Sequence, residues 1–146
     1  MREILFRGKC LDNGKWAEGF VVASRENTYS NGFEMITVDG INYDELDNYI
    51  PDFTSYAVDP STIGQYTGLK DKNGKKIFEG DIVRCMTKYG GDIGIVTFKD
   101  GKFVIYWQSE YHYPKCRKIT DYYYVNARTK IMGNIYDNPE LIREEV

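Results

Sequence analysis

The sequence predicts a mainly β fold, and three observations support that prediction. Aromatic residues make up 15% of the 146 residues, with thirteen tyrosines and seven phenylalanines. Aromatic and β-branched side chains suit a pleated, half-buried sheet better than a helix. Glycine recurs beside Asn and Asp in turn-forming sequences, and several short segments alternate apolar and polar side chains with the period of a strand.

The composition is otherwise that of a folded protein, with 42% hydrophobic and 28% charged residues. No apolar run approaches the roughly 18 residues of a membrane span, and the first residues lack the apolar segment of a secretory signal. We therefore expect a cytoplasmic location. Cys10, Cys85 and Cys116 are odd in number and far apart, which indicates reduced thiols rather than a disulfide framework or a zinc site.

The N-terminal half predicts a β meander. The turn sequence Asp12-Asn13-Gly14-Lys15 separates two alternating segments, as in a hairpin. The predicted strands are Glu3–Arg7, Trp16–Ala23 and Phe33–Val38. The stretch 42–59 is polar, contains Pro51 and loses its periodicity, so it is expected to be a long loop with at most a short strand at 56–58.

The C-terminal half predicts a small barrel of the SH3-like kind. Asp71-Lys72-Asn73-Gly74 is the strongest tight-turn sequence, because Asn-Gly readily adopts positive backbone angles. About five short strands follow, which is the number that a small barrel needs. They are Asp81–Met86, Ile93–Phe98, Lys102–Trp107, Ile119–Val125 and Lys130–Tyr136.

Alternation assigns the side chains of the strand at 102–107 to two faces. Phe103, Ile105 and Trp107 are predicted to face the core, and Lys102, Val104 and Tyr106 share the opposite face.

One short helix is expected from about 138 to 145, because Asn138 suits an N-cap and Pro139 the first helical position. The predicted domains are 1–68, a β region with an acidic loop, and 69–146, the barrel and helix; one shared core is the alternative.

Four segments of the chain, in order, resemble the YopX-like family of bacteriophage and prophage proteins. The longest is VDPSTIGQYTGLKDKNGKKIFEGDIVR, from Val58 to Arg84. The others are the opening REILFRGKC, the segment GIVTFKDGKFVIYW and the ending IMGNIYDNPELI. The resemblance implies a predominantly β fold with small-barrel elements and a phage or prophage origin. It implies no catalytic or cofactor-binding residue, because the family has no established biochemical activity.

Charge is unevenly distributed along the chain. Residues 26–69 include eight acidic side chains and no Lys or Arg, whereas residues 70–130 include thirteen basic and seven acidic side chains. Together with the many tyrosines, this asymmetry predicts self-association, in which the acidic part of one copy meets the basic part of another. The alternative is a monomer in which the two parts meet within one chain.

One segment mixes aromatic and cationic side chains in the manner of a binding surface. Its predicted binding residues are Tyr111, His112, Tyr113, Lys115, Arg117 and Lys118. Rings stack on bases and cations meet phosphates in single-stranded nucleic-acid sites, but Tyr is also enriched at protein interfaces, and the sequence pI of about 5.2 is low for a nucleic-acid-binding protein.

No catalytic group, cofactor or metal is expected. His112 is the only histidine, and general acid–base catalysis would need a second positioned group that the sequence does not identify. We therefore expect a non-enzymatic protein-binding module in the bacterial cytoplasm. A nucleic-acid-binding small β-barrel is the alternative.

Overall fold

The computed structural model describes residues 3–23, 33–43, 45–87, 90–108, 116–118 and 128–142. It is mainly β, as predicted, and its strands pair antiparallel. The chain divides into two compact units, Ile4–Gln65 and Tyr66–Val146 with Met1–Glu3. The strands are β1 (Phe6–Cys10), β2 (Trp16–Ala23), β3 (Phe33–Tyr43), β4 (Tyr49–Lys70), β5 (Lys76–Phe78), β6 (Asp81–Thr87), β7 (Gly90–Lys99), β8 (Lys102–Trp107), β9 (Cys116–Lys118) and β10 (Thr129–Asn134).

The unit Ile4–Gln65 is a closed ring of four strands, which we call the N-terminal ring. β1 pairs with β2, β2 with β3, and β3 with the first part of β4. The second part of β4 returns to β1, where Phe6 lies opposite Gln65 and Cys10 opposite Val58. The meander predicted here is therefore present, and β4 closes it.

The β1–β2 hairpin forms at the predicted turn. Gly14 has a φ of 68°, a conformation that glycine adopts without the steric cost of a Cβ. The Lys15 N–H donates to Asn13 Oδ1 at 2.8 Å, and the Cys10 N–H donates to the Lys15 carbonyl at 2.8 Å. Asn-Gly thus sets the register that places Lys9 opposite Trp16.

The prediction of a long loop at 42–59 is wrong, because β4 is a continuous strand of 22 residues. Residues 49–57 pair with β3, and even Pro51 occupies a register position, opposite Ile41. Residues 58–65 then pair with β1. Pairing partners supplied by the rest of the chain outweigh the weak strand preference of proline and aspartate here.

The C-terminal unit contains a five-stranded sheet in the order β10-β6-β7-β8-β9, and β5 pairs with the end of β4. No pairing between described residues closes this sheet, so the SH3-like barrel is not confirmed. Its main core cluster is larger than that of the ring. It consists of Ile77, Val83, Cys85, Val96, Ile105 and Trp107, with Leu69 and Ile131 packed against it.

Alternation in β8 is as predicted at most positions. Ile105 and Trp107 are buried and Phe103 is half-buried, whereas Lys102 and Tyr106 are exposed. Val104, predicted to share the face of Lys102 and Tyr106, is nevertheless buried at 1% exposure. Both faces of the sheet are therefore covered at that point.

The turn at 71–74 is held by a buried carboxylate. Asp71 accepts hydrogen bonds from the backbone N–H groups of Asn73 (2.8 Å), Lys75 (2.9 Å) and Ile131 (3.0 Å). Gly74 has a φ of 79°, as the Asn-Gly sequence predicts. Asp71 thereby joins the β4–β5 hairpin to β10.

The predicted helix at 138–145 is not confirmed. The described residues form a single 3-10 turn, Pro139–Ile142, in which the Leu141 N–H donates to the Asn138 carbonyl at 3.1 Å. Within the described parts of the chain, no helix has the length and apolar character needed to cross a membrane.

Candidate functional site

Most of the predicted binding surface lies outside the described residues. This holds for Tyr111, His112, Tyr113 and Lys115. Arg117 and Lys118 lie on β9, at register positions opposite Ile105 and Val104. The predicted surface therefore stays a prediction.

The N-terminal ring carries an exposed apolar surface on the outer side of β2, β3 and β4. We call it the aromatic face and define it by Phe20, Val22, Ile36 and Phe53. Phe20 lies opposite Ile36 and Ile36 opposite Ser55, and Phe53 shares that side of β4 with Ser55. Phe20 is 53% exposed, Val22 41% and Phe53 59%, and Ile36 is half-buried.

The ring exposes these side chains because their neighbours along each strand face its core. The core consists of Cys10, Ala17, Met35 and Val58. Val21 and Tyr56, which lie opposite Met35 in the register, pack against it. Since successive side chains of a strand point to opposite sides, Phe20 and Val22 are left on the outside.

Gly19 marks the point where β2 changes its partner. Gly19 pairs with Phe6 of β1, and the next residue, Phe20, pairs with Ile36 of β3. A Cβ on Gly19 would collide with the backbone carbonyl of Ile36. Glycine therefore permits the close strand approach that presents Phe20 outward.

Two acidic side chains and one basic side chain lie beside the aromatic face. Glu18 precedes Phe20 on the same side of β2, and Glu34 lies opposite Val22. Arg7 of β1 lies opposite Glu18. The segments that carry the face, β2, β3 and β4 as far as Gln65, contain no Lys or Arg, so this face offers no phosphate-binding cations of its own.

A cleft of about 420 Å³ lies beside the β1–β2 hairpin. It is lined by Cys10, Asn13, Lys15, Trp16, Ala17, Glu18, Thr37 and Tyr56. The guanidinium of Arg7 lies 4.7 Å from the centre of the Trp16 ring. The lining combines two aromatic rings with one cation and one anion, and it contains no histidine.

Cys10 lines this cleft, and its surroundings favour the protonated thiol. Burial raises the pKa of the Cys10 thiol, and the nearby Asp12 carboxylate raises it further. The thiolate is the reactive form of cysteine, so Cys10 is suited to packing in the ring core rather than to nucleophilic attack.

The described residues contain no group of three or more His, Cys, Asp or Glu side chains arranged to hold a metal ion. The buried carboxylates of the C-terminal unit have structural partners instead. Asp81 accepts a hydrogen bond from the Phe78 N–H at 2.8 Å. Asp71 accepts hydrogen bonds from the backbone of its turn, as described above. Sequence reasoning did not identify either carboxylate as a structural anchor.

The described residues form a mainly β protein with two compact units and an exposed aromatic face. The chain belongs to the YopX protein family, whose model matches residues 6–143. This confirms the resemblance predicted from the sequence. No curated protein matches the chain.

Among solved structures, the crystal structure of protein EF1440 from Enterococcus faecalis is similar over nearly the whole chain. The sequences are 25% identical, and the match covers 98% of this chain and 100% of that chain with a TM-score of 0.61. The similarity supports the same overall fold.

Proposed function

We propose that this chain is a non-enzymatic protein-binding module of phage or prophage origin, acting in the bacterial cytoplasm, and that a partner protein docks on the aromatic face. The observation that carries the proposal is the exposure of Phe20, Val22 and Phe53 on one side of the ring. Large apolar side chains grouped on a surface are typical of sites that bind proteins.

The charge around the face favours a protein over a nucleic acid. Glu18 and Glu34 would repel phosphates, whereas they can attract a partner that surrounds an apolar centre with basic side chains. The partner we propose therefore has an apolar docking segment next to Lys or Arg. Aromatic side chains in the middle of such an interface supply much of its binding energy.

A non-enzymatic role is supported by the state of the available chemical groups. The pKa of Cys10 is raised by burial, and the Asp71 and Asp81 carboxylates accept backbone hydrogen bonds. These groups act in folding, and none of them supports a reaction mechanism.

The test replaces the apolar rings while keeping strand-forming side chains. We expect Phe20→Thr/Phe53→Thr to lose specific partners that the wild-type chain captures from bacterial lysate, as measured by quantitative mass spectrometry. Phe98→Thr is the matched control, because Phe98 is also an exposed phenylalanine, at 49%, but lies in the C-terminal unit. The captured protein is then purified and titrated calorimetrically.

The double variant should bind that purified partner at least about tenfold more weakly than the wild-type chain, while the control binds normally. Equal capture and equal affinity for all three chains would refute docking on the aromatic face. Capture of the chain by itself would identify the partner as a second copy. Light scattering at low and high salt checks that outcome, since the proposed electrostatic self-association weakens with salt.

A further inference from the structure

The cleft beside the β1–β2 hairpin opens where two strands of the N-terminal ring part. β2 pairs with β3 along Phe20–Ala23, whereas residues 16–19 of β2 pair with β1. Beyond Ile36, the described pairing of β3 is with β4. The cleft lining draws Ala17 from β2 and Thr37 from β3, so the cleft lies at the end of the ring. The mouths of barrels are common positions for ligand sites.

The inner lining of the cleft is mostly apolar. Cys10 and Ala17 are 5% and 8% exposed and belong to the core cluster of the ring. Tyr56 is half-buried and packs against the same cluster. Thr37 follows the core residue Met35 by two positions, so it lies on the same side of β3. A ligand that enters the cleft would therefore meet a thiol, a methyl group and an aromatic ring.

The outer lining of the cleft is polar. Asn13, Lys15 and Glu18 are its exposed members. The Cys10 N–H donates to the Lys15 carbonyl at 2.8 Å, so the β1–β2 ladder reaches Lys15. Because successive side chains alternate, Lys15 lies on the inner side of the hairpin with Ala17, and Glu18 lies on the outer side. Lys15 is therefore the charged member of the lining on the side of the apolar interior.

The hairpin carries one excess positive charge. Residues 6–18 include three cations and two carboxylates, which are Arg7, Lys9, Lys15, Asp12 and Glu18. Arg7 lies opposite Glu18 in the register, and Asp12 lies in the turn before Lys15. A ligand with a single negative charge would balance the excess. One charged group of the protein is enough to orient such a ligand in an otherwise apolar site.

We propose that the cleft binds a small aromatic carboxylate, whose ring packs against Ala17 and Tyr56 and whose carboxylate lies at the Lys15 ammonium group. The cleft volume of about 420 Å³ is within the roughly 300–1,000 Å³ of small-molecule sites. Aromatic rings attract one another in edge and offset arrangements, and an ammonium group donates strong hydrogen bonds to a carboxylate. The site faces the inner side of the hairpin and the aromatic face lies outside, so the proposal goes beyond protein binding.

The test titrates the full chain, labelled with ¹⁵N, with 3-phenylpropionate and follows the indole N–H signals by NMR. The chain has two tryptophans. Trp16 lines the cleft, whereas Trp107 is 1% exposed in the core cluster of the C-terminal unit. We expect the Trp16 signal to shift and saturate with a Kd of about 0.1–1 mM, as for a ligand of this size. The Trp107 signal should stay in place and serves as the internal control.

Two analogues separate the contribution of the charge from that of the ring. 3-Phenylpropanamide keeps the ring but is neutral, and we expect it to bind about twofold to fivefold more weakly, as for the loss of an exposed ion pair. Acetate keeps the charge but lacks the ring, and it should produce no saturable shift over the same concentration range.

Two variants place the ligand in the cleft. Lys15→Gln should weaken 3-phenylpropionate by the same factor of about two to five and leave the amide unchanged. Lys75→Gln is the matched control, because Lys75 is also an exposed lysine beside a turn but lies in the C-terminal unit. Thr37→Leu extends a side chain of the lining and should abolish binding of both ligands. The melting temperature of each variant checks that it is folded.

Absence of a shift at Trp16, or equal shifts at Trp16 and Trp107, would overturn the proposal. Equal affinity for the acid and the amide, unchanged by Lys15→Gln, would overturn the preference for a carboxylate. Unaltered binding by folded Thr37→Leu would place the ligand outside the cleft. Phe20→Thr/Phe53→Thr should bind 3-phenylpropionate as the wild-type chain does, which separates this result from the test of protein binding.

Discussion

The two units of this chain differ in whether a fully buried aromatic ring belongs to the main core cluster. The N-terminal ring has a core of Cys10, Ala17, Met35 and Val58, and it exposes Phe20 and Phe53. The C-terminal unit places Trp107 in its core cluster at 1% exposure. A closed ring of only four strands has little interior space, because the width of a barrel grows with its strand number. Phe6, Phe33 and Tyr56 are only partly buried against the core of the ring, and Phe20 and Phe53 are exposed, where they are available for binding.

The first prediction compares a core ring with an exposed one and carries the largest expected effect. Trp107→Ala should reduce the free energy of unfolding by about 3–5 kcal/mol, as for a large buried aromatic side chain. Phe53→Ala should cost less than about 1 kcal/mol. Chemical denaturation followed by circular dichroism measures both. Similar losses for the two variants would mean that the two units do not differ in how they use their aromatic side chains.

The second prediction concerns the strand approach inside the ring. Gly19→Ala should cost about 2–3 kcal/mol, since the new Cβ meets the Ile36 carbonyl, which belongs to the backbone and cannot rotate away. Gly8→Ala is the matched variant. Its Cβ would lie 3.1 Å from the Val58 Cβ and 3.3 Å from the end of the Met35 side chain, which can adjust. If Gly8→Ala proves more destabilising, the close approach of β2 to β3 does not depend on Gly19.

The third prediction tests a turn of the C-terminal unit. Gly74 has a positive φ, and a Cβ added there would have no heavy atom within 4 Å, so Gly74→Val should cost about 1–2 kcal/mol through backbone strain alone. Lys75 is the next residue and its side chain is exposed. Lys75→Val is therefore expected to reduce the free energy of unfolding by less. Thermal melting of the two variants decides the matter, and equal melting temperatures would contradict the need for glycine in this left-handed turn.

The smallest expected effect is a pH dependence in the C-terminal unit. Burial raises the pKa of the Glu79 carboxyl, so the folded state holds this proton to higher pH than the unfolded state does. Stability contributed by the protonated group is therefore lost as pH rises from near the ordinary glutamate pKa, about 4.3, through the raised value. Glu79→Gln cannot ionise. Its stability relative to wild type should be higher at pH 7 than at pH 4 in urea denaturation, and a constant difference would contradict the assignment.

Local features of the fold were predictable where turn chemistry and alternation agree. The bounds of β2 and β8 are as predicted, and the Asn-Gly and Asp-Gly turns before these strands fix where they begin. β4 was missed because its strand character depends on pairing with β3 and β1, which local sequence does not reveal.

The aromatic face was not predicted, because alternation alone does not show which side of β2 faces the core. In β2, one side carries Trp16, Glu18, Phe20 and Val22, and the other carries Ala17, Gly19 and Val21. Hydrophobicity would predict that the side with the larger side chains faces the core, but the side with Ala17, Gly19 and Val21 does so. The cross-strand neighbours Arg84 and Lys130 were not predictable for another reason, since they meet only through the β6–β10 pairing.

The hydrogen bond from Ile131 to Asp71 has a consequence for the order in which the chain matures during synthesis. The two residues are separated by 60 positions, which take roughly 3–12 s to translate at about 5–20 residues per second. All four strands of the N-terminal ring are present once Gln65 has been made. The Asp71 carboxylate, in contrast, lacks its β10 donor until Ile131 has been made. The nascent chain thus has its ring strands complete well before the C-terminal unit can form this contact.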